Sequence, residues 1–201
     1  MNVFDEGLLR YLKPEQLSKI RALKIGIGGA GGLGSNLAVM LARSGFSHFE
    51  ILDFDVIEPS NLNRQQYFLD EVGKPKVDIL TDRLLQINPE IRVITHKMRW
   101  NEENGQKFFT GCTFIAEAFD QAIWKRDFVE FYQNKTKYIV SGIGMAGISV
   151  GRPMEVKKVG NIYFVGDRTT DSTKGHPPMA PRVTMCAAMM AEIILDLTLQ
   201  E

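Results

Sequence analysis

Leu23-Lys24-Ile25-Gly26-Ile27-Gly28-Gly29-Ala30-Gly31-Gly32-Leu33-Gly34-Ser35, a helical run from Asn36 to Arg43, and Phe49-Glu50-Ile51-Leu52-Asp53 together decide the fold. They read as strand, glycine loop, helix, strand and acid, the layout of a mononucleotide-binding half. A strand that turns sharply into a helix needs positive φ, which glycine reaches at little cost. A Cβ in the turn would also hold a phosphate away from the backbone. The first helical turn offers unpaired N–H groups and a positive dipole end to an anion. Asp53 follows about 20 residues later, where a carboxylate can accept from ribose hydroxyls. The glycines between Gly26 and Gly34 allow two registers. The one starting at Gly29 leaves Lys24 to Gly28 as strand. The pattern leaves open which nucleotide binds, and a tight turn without a ligand would use the same glycines.

The remainder continues the alternation. Phe4 to Leu23 reads as two short helices, broken near Pro14. Gly73-Lys74-Pro75-Lys76 opens a helix that Asn88-Pro89 ends, with Pro75 in its first turn. Strands are expected at 91–95, 113–116 and 137–141, and helices at 101–109 and 122–133. A hairpin over 154–165 turns at Gly160-Asn161. Gly166 to Pro178 has no large apolar residue and is expected to be a mobile crossover loop, followed by an apolar helix from Met179 to Leu199. This predicts one α/β domain over 1–201: Rossmann-like, mostly parallel, with helices on both faces and a C-terminal hairpin, loop and helix.

Composition bounds the function. The 201 residues carry 24 Lys and Arg against 24 Asp and Glu. Zero net charge argues against nucleic acid or an anionic membrane as partner. No apolar run is expected to approach a membrane span. The acidic start, Met1 to Glu6, lacks the layout of a signal peptide. Cys112 and Cys186 sit in apolar pattern, as small buried residues of a reducing compartment do, and the expected location is cytoplasmic.

Four charged residues are placed on one edge of the sheet beside the glycine loop: Asp53, Arg64, Lys76 and Asp120. They supply a carboxylate for ribose, two cations for a polyphosphate and a carboxylate for a metal, which is the equipment of phosphoryl or nucleotidyl transfer. No Walker loop is present. A nicotinamide-dependent oxidoreductase would account for the glycine loop and Asp53, but not for Arg64 and Lys76.

These residues carry a resemblance. Gly29-Ala30-Gly31-Gly32-Leu33-Gly34-Ser35, Asp53-Phe54-Asp55, Ser60-Asn61-Leu62-Asn63-Arg64-Gln65, Gly73-Lys74-Pro75-Lys76 and Phe119-Asp120 resemble the successive motifs of the ThiF/MoeB/HesA family, relatives of ubiquitin-activating enzymes. The resemblance implies ATP and Mg²⁺ as cofactors. It also implies adenylation of the C-terminal glycine of a small ubiquitin-like sulfur carrier ending in Gly-Gly, with pyrophosphate leaving. By position, Gly29, Gly31, Gly32 and Gly34 would line the phosphates. Asp53 and Asp55 would serve the nucleotide, with Asp53 on its ribose. Asn61, Arg64, Gln65 and Lys76 would surround the phosphates, and Asp120 would serve Mg²⁺. Arg10 would reach into the neighbouring site of a homodimer. Two cysteines cannot build the two Cys-x-x-Cys pairs that bind zinc in many members, so no zinc is expected. The crossover loop holds no cysteine for a thioester or persulfide step. The chain is most similar to the short zinc-less ThiF type, which implies activation of a ThiS-like carrier for the thiamine thiazole. An ATP-dependent dehydratase of a modified tRNA nucleoside is the alternative, against which the neutral charge speaks.

Overall fold

Two short helices lead into a seven-stranded sheet. The computed structural model describes residues 2–148, 152–170 and 175–200. Its elements are α1 (Val3–Leu8), α2 (Pro14–Ala22), β1 (Lys24–Gly28), α3 (Gly32–Arg43), β2 (His48–Leu52), α4 (Lys76–Ile87) and β3 (Arg92–His96). There follow α5 (Glu102–Gly105), β4 (Phe114–Glu117), α6 (Ala122–Tyr132), β5 (Tyr138–Gly142), β6 (Glu155–Val159), β7 (Ile162–Gly166) and α7 (Ala180–Gln200). The strand order is β3-β2-β1-β4-β5-β7-β6, and β6 runs antiparallel as the hairpin partner of β7. The fold is α/β and Rossmann-like, with a mostly parallel sheet as expected.

The four central strands are buried along nearly their whole length, which is why they read as apolar runs rather than as alternation. Ile20 of α2, Leu37 of α3, Leu80 of α4 and Met190 of α7 join one cluster on one face of the sheet. Trp100, Phe109, Phe128 and Tyr132 form the other, where α5 and α6 lie. At the edge, β6 is exposed at every position and carries Lys157 and Lys158, charges that discourage further strand pairing.

Several expectations are corrected. The helix expected over 101–109 is only α5, and further on Phe109 takes a left-handed backbone (φ 62°) with its ring against Gly26 of β1. A Cβ on Gly26 would lie 2.7 Å from that ring, and one on Gly28 would lie 2.8 Å from Phe128. Both glycines therefore make room for aromatics, and the turn begins at Gly29. Helix α3 starts at Gly32 rather than Asn36, so the last glycines form its first turn. Helix α7 spans 21 residues with a mean hydropathy of 1.5, enough by length and composition alone to cross a membrane, contrary to expectation. Here Val183, Cys186, Met190 and Ile194 bury its inner stripe in the core. The central part of the loop expected to be mobile, residues 171–174, lies outside the described residues.

One buried charge ties three elements together. Glu50 of β2 meets Lys24 Nζ at 2.6 Å and His96 Nε2 at 2.8 Å, and accepts from the Phe109 N–H at 2.9 Å. Burial alone would raise its carboxyl; the bonds from Lys24, Phe109 and His96 prevail and hold it below the usual value. A lowered folded value means stability that is present above the unfolded carboxylate range and lost as pH falls through the folded one. Glu50→Gln is expected to cost about 1–3 kcal/mol at pH 7. Urea unfolding should show that gap to the wild type closing below about pH 4.

Candidate active site

The site is built where strand order reverses, between β1 and β4, at the carboxyl ends of the strands. Gly29 has φ 100°, and a Cβ there would lie 2.8 Å from the Ala118 carbonyl oxygen. A Cβ on Gly34 would overlap the Gly29 carbonyl oxygen. Gly34 thus lacks room for a side chain because α3 packs closely on the turn after β1, and it sits in the first turn of that helix. Gly31 is different. Its Cβ would meet nothing nearer than Gln65 Nε2 at 3.7 Å, so the protein fold itself does not demand glycine there. That is the space a close ligand would use.

Asp53 joins the ends of two strands. Its Oδ2 accepts from the Ala30 N–H at 2.6 Å and its Oδ1 from the Asp55 N–H at 2.8 Å. Burial lifts its carboxyl above the ordinary value, against the pull of Lys76 and of these two donors. Lys76, the first residue of α4, is buried and pairs with Asp55 at 2.7 Å. Tyr67 donates to the Ala30 carbonyl at 2.7 Å and fixes the turn from the other side.

The polar stretch after β2 is stitched to α3. Ser35 Oγ accepts from the Gln66 N–H at 3.1 Å. Asn36 Nδ2 donates to the Arg64 carbonyl at 2.9 Å, and its Oδ1 accepts from Gln66 Nε2 at 2.8 Å. Asn61 caps its own 3₁₀ turn by accepting from the Glu58 N–H at 3.0 Å. Asn63 donates to the Pro178 carbonyl at 3.0 Å, tying this stretch to the approach to α7. The density of amides thus has a structural cause in part. Gln65 Oε1 is buried and has no hydrogen-bond partner among the described residues.

Together these elements wall a cleft of about 1280 Å³. Gly29, Gly31, Gly32, Asp53, Asp55 and Asn61 line it, as do Arg64, Gln65, Lys76 and Asp120. Burial lowers the Arg64 guanidinium and the charge of Asp120 opposes the shift, while Arg64 Nη1 donates to the Ser60 carbonyl at 2.9 Å and to Asn63 Oδ1 at 2.8 Å. Arg10 lies apart: it is exposed on the turn after α1, which is tethered through Asn2 to Asn88 at the far end of α4. Among the described residues no cluster of three or more His, Cys, Asp or Glu could hold a metal. Both cysteines are buried, and burial pushes each thiol up to about 12.

Sequence reasoning passed over four features of this cleft. The Arg99 guanidinium carbon lies 4.5 Å from the Phe54 ring centroid and 5.6 Å from that of Trp124, and all three line the cleft. Lys125 donates to both oxygens of fully buried Glu117 and to the Gly142 carbonyl, at 2.9–3.1 Å. Glu117 in turn accepts from the Phe119 N–H at 2.7 Å, just before Asp120. Arg168 also lines the cleft. Trp124 and Lys125 sit inside an ordinary amphipathic helix pattern, so nothing in the sequence marked them.

The ThiF family model matches residues 6–201. The chain belongs to the ThiF family. It is 34% identical over 134 residues to the tRNA threonylcarbamoyladenosine dehydratase of Bacillus subtilis, covering 66% of this chain and 53% of that protein. It is 32% identical over 134 residues to the adenylyltransferase and sulfurtransferase UBA4 of Saccharomyces cerevisiae, covering 66% of this chain and 28% of that one. The chain therefore spans about half or less of these relatives. The E. coli tRNA N6-threonylcarbamoyladenosine dehydratase TcdA, solved with ATP, superposes with a TM-score of 0.86 at 23% identity, over 97% of this chain and 93% of that one. At that identity the likeness establishes the fold.

Two glycines of the turn should behave oppositely in urea unfolding. Gly31→Ala, at the first cap of α3, is expected to change stability by no more than about 1 kcal/mol. Gly34→Ala must push α3 off the Gly29 carbonyl and should cost about 3 kcal/mol or more.

Proposed function

We propose that this member of the ThiF family uses ATP to adenylate a substrate carboxylate, releasing pyrophosphate. The observation that carries the reading is the convergence of Asp53, Arg64, Lys76 and Asp120 with the Gly31 space on one cleft. The family match and the ATP-bound TcdA neighbour support it.

The residues suggest the following division of labour. The rim of Phe54, Arg99 and Trp124 suits a planar base, and Asp53 can accept from ribose hydroxyls with the lone pairs its two backbone bonds leave free. The α3 amides and Gly31 cradle the phosphates. Arg64 and Lys76 balance the charge that builds on them, with Lys76 exchanging Asp55 for phosphate. Mg²⁺ fits a site of this kind, since it is held by one or two carboxylates plus substrate phosphates rather than by a protein cage. Asp120 is the residue that would hold it, and the ion would supply charge neutralisation. A carboxylate oxygen attacks the α-phosphorus, the bond to the bridging oxygen breaks, and pyrophosphate leaves. The carboxylate arrives ionised, so no general base is needed. The Glu117–Lys125 pair holds the strand end that carries Asp120.

Two sources of carboxylate are compatible. A threonylcarbamoyl group ends in one, so loss of water from such a tRNA nucleoside fits activation of that group. The dehydratase relatives and the TcdA structures weigh towards this source. The C-terminal glycine of a ThiS-like carrier offers the same group; the likeness to UBA4 and the zero net charge of the chain weigh towards it. Nothing in the family match favours nicotinamide chemistry.

The deciding measurement is exchange of labelled pyrophosphate into ATP. It should require Mg²⁺ and one acceptor: tRNA bearing threonylcarbamoyladenosine, or a carrier ending in Gly-Gly. Arg64→Ala, Lys76→Ala and Asp120→Ala should each lower the rate about 10²–10³-fold, the loss typical of one transition-state donor. Gly31→Ala should leave the fold intact and weaken ATP binding. ATP binding without exchange for either acceptor would refute adenylation.

A further inference from the structure

The cleft is larger than a nucleotide requires. Its volume of about 1280 Å³ exceeds the roughly 300–1000 Å³ of most small-molecule sites. Part of its lining comes from residues just past the carboxyl ends of β5 and β7, a region of the cleft that we call its second lobe. Ile143, Gly144, Met145, Arg168, Thr169 and Thr170 line that lobe. Charge is sorted between the two parts. The described lining carboxylates, Asp53, Asp55, Glu58 and Asp120, come from the segments after β2 and β4 and none from those after β5 and β7. Lys125 also lines the cleft, with its ammonium already bonded to Glu117 and Gly142. Among the described residues of the second lobe, Arg168 carries the charge.

Arg168 is held in place by a built turn. Its backbone is left-handed, with φ 58°, a region where long side chains are uncommon. Asp167 Oδ1 accepts from the N–H groups of Thr169 at 2.9 Å and Thr170 at 2.8 Å, and its Oδ2 accepts from buried Arg182 at 2.7 Å. A Cβ on Gly144 would overlap this turn, so the ends of β5 and β7 interlock. Unfavourable backbone kept at a cleft wall is a pointer to function. The guanidinium meets Glu155 Oε2 at 2.6 Å, yet the two side chains are 42% and 57% exposed. A pair so exposed is weak and readily exchanged.

We propose that this lobe is the acceptor subsite, and that Arg168 binds the substrate carboxylate by exchanging Glu155 for it. The inference rests on the adenylation reading. A triphosphate in the first lobe occupies Arg64 and Lys76. A second anion that must approach the α-phosphorus then needs a cation of its own, and a guanidinium grips a carboxylate with two parallel hydrogen bonds.

The test is binding to the protein loaded with a non-hydrolysable ATP analogue. Two probes are used, a peptide ending in Gly-Gly and the nucleoside threonylcarbamoyladenosine, each beside its carboxamide counterpart. The wild type should bind one of the carboxylates at least tenfold tighter than its amide, and the probe that does so identifies the source. Arg168→Gln should bring that ratio close to one while nucleotide affinity holds, and Arg168→Lys should restore part of it. Arg168→Gly should raise Tm, by relieving the backbone, and still lose the discrimination; a purely structural role would not separate these readouts. A carboxylate preference that survives Arg168→Gln overturns the proposal, as does a wild type with no preference for either probe. If the wild type supports pyrophosphate exchange and Arg168→Gln leaves the acceptor KM unchanged, the subsite falls and adenylation stands.

Discussion

The start of α3 rests directly on the carbonyl of Gly29, with no room for a Cβ at Gly34. Everything at the carboxyl edge of the sheet depends on that closeness. It lets the helix begin at Gly32, within the glycine run itself, so its unpaired amides open into the cleft rather than behind it. It also sets the distance from which Asp53 reaches back to the Ala30 N–H. A turn of this kind is paid for elsewhere, and the compensation is visible in Tyr67, Ser35, Asn36 and Gln66, which brace the turn and the following loop with side-chain hydrogen bonds.

Buried carboxylates do different work at different depths of the sheet. Glu50 and Glu117 are nearly inaccessible, and each is saturated by a lysine together with a backbone N–H. They are structural anchors, and removing either would strand a partner in a medium of low polarity. Asp53 is also buried, but its cation, Lys76, is engaged with Asp55 instead, and the Asp53 carboxyl is raised. A group left short of its counter-charge is one with capacity for a ligand. The contrast separates structural anchors from candidate site residues without reference to any relative.

The architecture was legible because it is written in short-range pattern. Buried parallel strands appear as apolar runs, the glycines mark one turn, and Gly160-Asn161 marks the hairpin. What escaped was long-range. That Gly26 accommodates Phe109 depends on residues 83 positions apart in the chain meeting across a sheet face. Asn61 and Gln66 were visible as polar, but whether an amide caps a turn or faces a ligand depends on its neighbour. Lys125 and Trp124 were hidden in a helix whose period explains them without any site. Arg168 was hidden by a loop whose composition announces only irregularity.

The chemistry of the thiols constrains what can follow activation. Cys112 and Cys186 are buried and their thiols are pushed up to about 12, so neither offers a thiolate near neutral pH. On the proposed reading, neither of these two thiols is suited to receive an acyl adenylate formed here. The adenylate then reacts with a group of its own substrate or waits for another nucleophile. Both routes require the acceptor to stay in place and water to be kept away after pyrophosphate has left. The wall formed by the ends of β5 and β7 suits that task, because Asp167, Arg182 and Gly144 make it rigid before any substrate enters. A preorganised wall spends no ordering entropy at the moment of reaction. The weak Glu155 pair then leaves Arg168 as the part of that wall free to change partners.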